Sequence, residues 1–256
     1  SSAASDVYKR QLPTNDPEKY NIGFCSCSNY PAGYFNAYRE MANNNEIDLV
    51  LHLGDYIYEY DKDGYATEDS VKFNRVTEPI HEIVTLNDYR KRHAQYKSDP
   101  DLQLLHRSKP MIAVWDDHEF TNDSWKYGAE NHQTEEGFFL SRKANAIKAY
   151  LEWMPMRENK SKLKIWRKFE VGSLFQLLMI DTRSIYRDRQ LNLDDYFDDD
   201  QIDETKYIKD LSIDRKLIGL EQLLWLKKNI NNKFKWSILG QQVLISNVNL
   251  CLLYTS

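Results

Sequence analysis

The sequence predicts an α/β domain, and three observations carry that prediction. Five short runs rich in Ile, Val and Leu are spread along the chain, segments of helical period fall between them, and each run finishes in a polar cluster. With 256 residues, 41% of them hydrophobic, the chain has enough apolar side chains for one large core. No repeat, low-complexity tract or Gly/Ser/Pro linker divides it, so it reads as one domain over residues 12–250.

In chain order, Ile22 to Phe24 leads into Cys25-Ser26-Cys27, Ile47 to Leu53 into Gly54-Asp55-Tyr56, and Met111 to Trp115 into Asp116-Asp117-His118-Glu119. Leu174 to Ile180 leads into Asp181-Thr182-Arg183, and Trp236 to Leu239 into Gly240-Gln241-Gln242. Runs of this length and composition read as buried strands. Helices are predicted over Tyr34 to Ala42, over Leu86 to Tyr96 with a stop before Pro100, and over Gly137 to Trp153. A fourth, Leu220 to Ile230, places Leu220, Leu223, Leu224 and Ile230 on roughly one face. Helices between strands predict crossover connections and a mixed, largely two-sided sheet. The acidic run from Asp194 to Glu204 reads as a solvated surface insertion. Ligands of open α/β sheets sit beyond the carboxyl ends of the strands, so five polar clusters at five such ends predict one shared site.

Composition excludes several chemistries. No two of the 9 glycines lie closer than Gly128 and Gly137, so Gly-x-Gly-x-x-Gly, P-loop and Gly-x-Ser-x-Gly elements are absent. A net charge of −5 with no basic stripe argues against a nucleic-acid-binding module. No apolar run reaches the roughly 20 residues of a membrane span, and no signal-peptide core opens the sequence. Cys25, Cys27 and Cys251 are too few for a disulfide framework, and they do not fix the redox compartment. Residues 1–11 and 251–256 resemble translated sequencing-adapter read-through and are read as non-native ends.

The strand-end clusters hold the candidate chemistry. Asp55, rigidly placed after a buried strand and a glycine, suits a metal ligand, and its alternative is a turn aspartate. Tyr58, three residues on, can join it only for a strongly Lewis-acidic ion such as ferric iron, because a free phenol titrates near ~10; otherwise it is a core aromatic. Asp116-Asp117-His118-Glu119 is costly to bury without a cation or a hydrogen-bond network. There Asp117 suits a metal and His118 suits proton donation to a leaving group. Cys27 is either a thiolate ligand or a core cysteine, and a Cys27–His118 protease leaves the nearby carboxylates unexplained. On an extended strand Cys25 and Cys27 would share a face, with α-carbons too far apart for a disulfide. Arg183 reads equally as a phosphate clamp or as half of an Asp-Arg salt bridge. Gln241 and Gln242 read as structural amides, and His52 and His93 as hydrogen-bonded core residues. His81, His106 and His132 lie away from all five clusters.

Taken in order, Phe24-Cys25-Ser26-Cys27, Gly33-Tyr34-Phe35, Ala37-Tyr38-Arg39, Gly54-Asp55-Tyr56-Ile57-Tyr58-Glu59 and Asp88-Tyr89-Arg90 form a specific series. It continues with Trp115-Asp116-Asp117-His118-Glu119, Ala149-Tyr150-Leu151-Glu152-Trp153-Met154-Pro155, Asp181-Thr182-Arg183 and Leu239-Gly240-Gln241-Gln242. The series resembles the alkaline phosphatase D family, the PhoD-like phosphatases of the metallophosphoesterase superfamily, from about Ile22 to Ser246. The resemblance implies a four-layer αββα sandwich, extracytoplasmic in its full form, that hydrolyses phosphate mono- and diesters through a metal-bound hydroxide with Fe3+ and Ca2+, other divalent metals being alternatives. It implies iron ligation by Cys27, Asp55 and Tyr58, with Asp55 bridging to a second metal held by Asp117, and by Asn122 for calcium. His118 then matches the histidine that assists the leaving group, with Arg183 toward substrate. The family's downstream Gly-Asp-x-His element does not occur in this sequence, so the implied sandwich is incomplete at the C-terminus and the ligand set is short. The rival readings are a phospholipase-like phosphodiesterase with the same metals and a non-catalytic metal-stabilised binding domain. The sequence carries no signal for oligomeric state.

Overall fold

The computed structural model describes residues 12–245 except 14, 155, 157–162 and 199–200, so both adapter-like ends fall outside the described residues. The α/β expectation holds, with a difference in the sheets. Strands β1 (Ile22–Cys25), β2 (Leu49–His52) and β3 (Met111–Ala113) form one parallel sheet in that spatial order. Strands β4 (Arg167–Val171) and β5 (Phe175–Met179) pair antiparallel, and β8 (Trp236–Gly240) joins β5 in parallel to make a second sheet. The single sheet suggested by the strand runs is therefore two, in accord with the two sheets of the sandwich that the family resemblance implies.

The split begins at the β4–β5 hairpin. Its three-residue turn opens on Gly172 at φ +48, a left-handed conformation that suits glycine, and the Leu174 N–H closes it on the Val171 carbonyl (3.0 Å). The sequence reading missed β4 because Arg-Lys-Phe-Glu-Val is half-exposed and its charges hide the strand pattern. The fully buried β5, apolar at four of its five positions, was read without difficulty.

The helices follow local rules with one correction. Helix α1 (Asn36–Asn43) buries Tyr38 and Ala42, one turn apart. Helix α2 (Leu86–Ser98) opens on a capping box, in which Thr85 and Asp88 each bind the other's backbone N–H. It does end before Pro100, but the chain starts a new helix there. Pro100 opens α3 (Pro100–Ser108), and Asp99 caps it by accepting from the N–H groups of Asp101 (2.9 Å) and Leu102 (3.0 Å). Helix α4 (Phe139–Trp153) packs on α2. The acidic run is more ordered than a bare insertion. It forms a 3-10 turn and the two-residue strands β6 (Phe197–Asp198) and β7 (Gln201–Ile202). Asp203 then caps α5 (Glu204–Leu211).

Helix α6 (Gly219–Asn229) departs most from expectation. Its inward residue is Gln222, which accepts from the Asp181 N–H (2.8 Å) and donates to the Asp181 carbonyl (2.8 Å), while Leu220, Leu224 and the following Ile230 are exposed. One core joins the sheets, from Leu49, Val50 and Ile112 to Val171, Phe175 and Leu177, closed by Trp115, Tyr150 and Phe120. No helix among the described residues is long and apolar enough to cross a membrane.

Candidate active site

The carboxyl ends of β1, β2 and β3 are strapped together by backbone and carboxylate bonds. The Cys27 N–H donates to the Gly54 carbonyl (3.1 Å) and the Ser28 N–H to the Asp55 carbonyl (2.9 Å). Cys27 (φ +59), Asp55 (φ +55) and Asp123 (φ +48) all hold left-handed backbone, a strained choice for non-glycine residues that clusters at functional sites. Cys27 therefore lies in a turn beyond β1, not on its extended face, and it and Cys25 are both free thiols.

Gly54 (φ +111) lets the β2 and β3 loops touch, since a Cβ there would meet the Asp116 backbone nitrogen at 2.6 Å. The fully buried Glu119 then binds both loops, accepting from the N–H groups of Asp55 (3.0 Å), Tyr56 (2.7 Å) and Asp116 (2.7 Å).

On this frame, ligand atoms of Asp55, Asp117 and His118 lie within 4.8 Å of one another. Cys27 Sγ lies 3.3 Å from Asp55 Oδ2, and the Tyr58 ring stacks on His118 with centroids 4.1 Å apart. The Asp117 carboxylate is oriented by the Asp123 N–H (2.7 Å). Burial, with Asp117 adding repulsion, raises the Asp55 carboxyl to about 6. Burial also pushes up the Cys27 thiol and carries the Tyr58 phenol far above its ordinary range.

His118 Nδ1 donates to Glu59 Oε2 at 2.7 Å. Glu59 is fully buried and its other oxygen accepts from the Asn122 N–H (2.6 Å), Asn131 Nδ2 (3.0 Å) and Thr121 Oγ1 (3.3 Å). Burial opposes charge on both partners, yet these bonds lower Glu59, and the Glu59 bond and charge raise His118 to about 9. Glu59 and Glu119 lie inside the Gly54–Glu59 and Trp115–Glu119 motifs, and the sequence alone assigns neither a role. The signal available was spacing: Glu59 follows Asp55 by four residues, and Glu119 follows His118 directly.

The β5 end joins through Asp181, which accepts from Trp115 Nε1 (3.1 Å) and the Arg183 and Ser184 N–H groups (2.9 and 2.8 Å). The Arg183 guanidinium takes Asp116 (2.5 Å) as partner, with Asp117 and Asp123 each at 3.5 Å, so its salt bridge runs to Asp116 and not to neighbouring Asp181. With burial opposing its charge, those aspartates still raise it above its ordinary value. Asn122 turns its side-chain amide to Glu130 (2.9 Å).

Gln242 holds Thr182 Oγ1 (2.6 Å) and the Ile180 carbonyl (2.9 Å), which ties β8 to β5 as a structural amide. His52 is a bonded core residue, with Nε2 2.8 Å from Tyr38 Oη and 3.1 Å from Ser28 Oγ. Buried His93 differs from expectation: among the described residues neither ring nitrogen has a hydrogen-bond partner, and the ring stacks on Trp153.

Comparison with known proteins accords with this architecture. Alkaline phosphatase D of Bacillus subtilis (strain 168) is 38% identical over 242 residues, covering 93% of this chain and 39% of that protein. A solved structure described as "Structure of PhoD" superposes with a TM-score of 0.76 at 36% identity, covering 93% of this chain and 44% of its own. The chain thus spans less than half the length of these relatives. The family model for PhoD-like phosphatases matches residues 22–254, and on that match and that identity the chain belongs to the PhoD-like phosphatase family.

Proposed function

We propose that this chain carries the metal-holding and proton-donating part of a hydrolase of phosphate mono- and diesters. The observation that carries the reading is the convergence of Asp55, Asp117 and His118 within 4.8 Å, flanked by Cys27 and Tyr58, in a chain of this family. The donor set fits cations. Thiol, phenol and carboxylate from Cys27, Tyr58 and Asp55 would suit ferric iron, and the Asp55 carboxylate, within 4.8 Å of Asp117, would be available to a second ion as well. Asp117, with the amide oxygen of Asn122, suits calcium. Burial, with the Asp117 charge beside it, holds Asp55 at about 6, and bound cations would offset both effects. When bound, hard cations acidify water and draw charge from a phosphoryl group.

The chain's own residues do the rest. Glu59 fixes the His118 ring through Nδ1 and keeps it protonated, so His118 donates a proton to the departing alkoxide oxygen. Glu119 and Gly54 hold the loops that set the distance between Asp55 and Asp117. We place this chemistry outside the cytoplasm, in line with the family resemblance. Asp55→Asn is expected to remove the bridging charge, lowering bound metal and abolishing turnover of a chromogenic phosphoester. Turnover that survives with the metal retained would sink the assignment.

A further inference from the structure

Beside the site, a second arginine lacks the partners that occupy Arg183. Arg187 is only 7% exposed, and among the described residues its Nε has no hydrogen-bond partner and no carboxylate lies within ion-pair distance of its guanidinium. A buried charged donor left unsatisfied is costly, so its presence calls for a ligand. The Arg187 carbonyl accepts the Lys126 N–H (2.9 Å), which seats the loop after Asp123 against it. On that loop Ser124 is 2% exposed, and its hydroxyl also has no partner among the described residues. The loop's first residues belong to the site: the Asp123 N–H orients Asp117, and Asp123 Oδ1 receives Gln190 Nε2 (3.0 Å) and lies 3.5 Å from Arg183. Arg187 is also close enough to Asp116, Asp117 and Asp123 to feel their charge, while burial and neighbouring Arg183 pull it down to about 10. It thus stays cationic at neutral and mildly alkaline pH.

We propose that Arg187 and the Ser124 hydroxyl bind the phosphate group of the substrate, supplying the donors that the carboxylate-bound Arg183 has already spent. Arg183 acts as a strut that holds Asp116, Asp117 and Asp123 in place, and Arg187 is the guanidinium left to meet an anion. A planar guanidinium and a hydroxyl are both donors suited to the non-bridging oxygens of a phosphoester. This assignment rests on the phosphoester reading above, and it concerns recognition of the anion, not the attack on phosphorus.

The test uses the metal-replete protein with its natural flanking sequence, p-nitrophenyl phosphate as substrate and inorganic phosphate as competing ligand. For Arg187→Gln the KM and the phosphate inhibition constant are expected to rise together by roughly 10- to 100-fold, the scale of a charged hydrogen bond, with kcat falling less and metal content unchanged. Arg187→Lys should recover part of the loss, and Ser124→Ala should show a smaller rise of the same two constants. Unchanged constants in Arg187→Gln would overturn the proposal, leaving water as the partner of Nε. Equal collapse of kcat, metal content and Tm in both Arg187 variants would overturn it too, in favour of a structural role. Calorimetric titration of inorganic phosphate separates the two readings. A parent without turnover fails the hydrolase assignment, yet phosphate binding that is lost in Arg187→Gln and partly kept in Arg187→Lys upholds this one, and phosphate binding indifferent to Arg187 defeats it.

Discussion

Around the ends of β2 and β3, groups that prefer water are buried: Asp55, Glu59, Asp117, His118, Glu119 and Asp181 are each less than a tenth exposed. Along the second sheet and α6, groups that avoid water face it. Trp236 is 68% exposed, Leu239 and Leu224 are exposed with it, and a groove between the sheets is lined by Ile22, Phe24 and Leu51 on one side and Ile238 and Leu239 on the other. In the first region each of these carboxylates has its own donors, such as the three backbone N–H groups on Glu119 and the four donors on Glu59. The site's geometry is therefore set by bonds internal to the first sheet and its loops. The second sheet reaches the site at the β5 end, where Asp181 and Arg183 extend across to Trp115 and Asp116, while Arg167 of β4 donates to the Ala113 carbonyl at the end of β3. An exposed apolar strip of this kind marks surface that a stable monomer seldom leaves in water.

The largest effect that separates the two regions is the response to acid. His52 on β2, His93 on α2 and the half-buried His106 on α3 are pulled down to about 3 by burial, with the Lys97 charge adding to it, against 6.5 when unfolded. Between those values the unfolded chain binds more protons, so each histidine removes stability as pH falls from 6.5, at about 1.4 kcal/mol per pH unit. Asp55 and Asp116 work in the opposite sense. Burial raises them to about 6 and about 7 from 3.8, so in the metal-free chain the folded form binds the extra protons as pH falls through that window. Cations at the site would hold those carboxylates ionised and cancel the compensation. Tm measured against pH should thus fall more steeply below 6.5 in the metal-loaded protein than after chelation. Equal slopes would break the picture of a strained carboxylate site set on a neutral histidine core.

What the sequence disclosed follows the same division. Hydrophobic runs that end in charged clusters are legible because burial forces both halves of the pattern, and they marked the stretches in which Asp55, Asp117 and His118 come together. Glu59 and Glu119 were not assigned roles, since nothing in a linear string shows that Glu59 faces His118 across 59 positions or that Glu119 caps a loop 64 positions away. Strand β4 was missed because its charged residues sit on a half-exposed face, and α3 because a proline that ends one helix also begins the next. The leucines of α6 misled in the other direction. Their spacing is that of a buried stripe, while the fold buries Gln222 on the β5 end and leaves Leu220 and Leu224 outside.

Two tryptophans give the smaller and cleaner test, one from each region. Trp115 is fully buried, packs edge-on against Phe120 and Tyr150 with centroids 5.2 Å away in both pairs, and donates Nε1 to Asp181. Trp115→Ala removes a large side chain from a closed core, and the expected cost is about 3–5 kcal/mol in a denaturant melt. Trp236 already stands in water, so Trp236→Ser is expected to change stability by less than about 0.5 kcal/mol, as exposed substitutions do. It should at the same time raise the concentration at which the protein stays dispersed, because it takes an aromatic ring out of the apolar strip. A loss of several kcal/mol in Trp236→Ser would mean that β8 is held by packing of that ring, and the contrast between a self-contained site region and an uncovered second sheet would fail at its weakest strand.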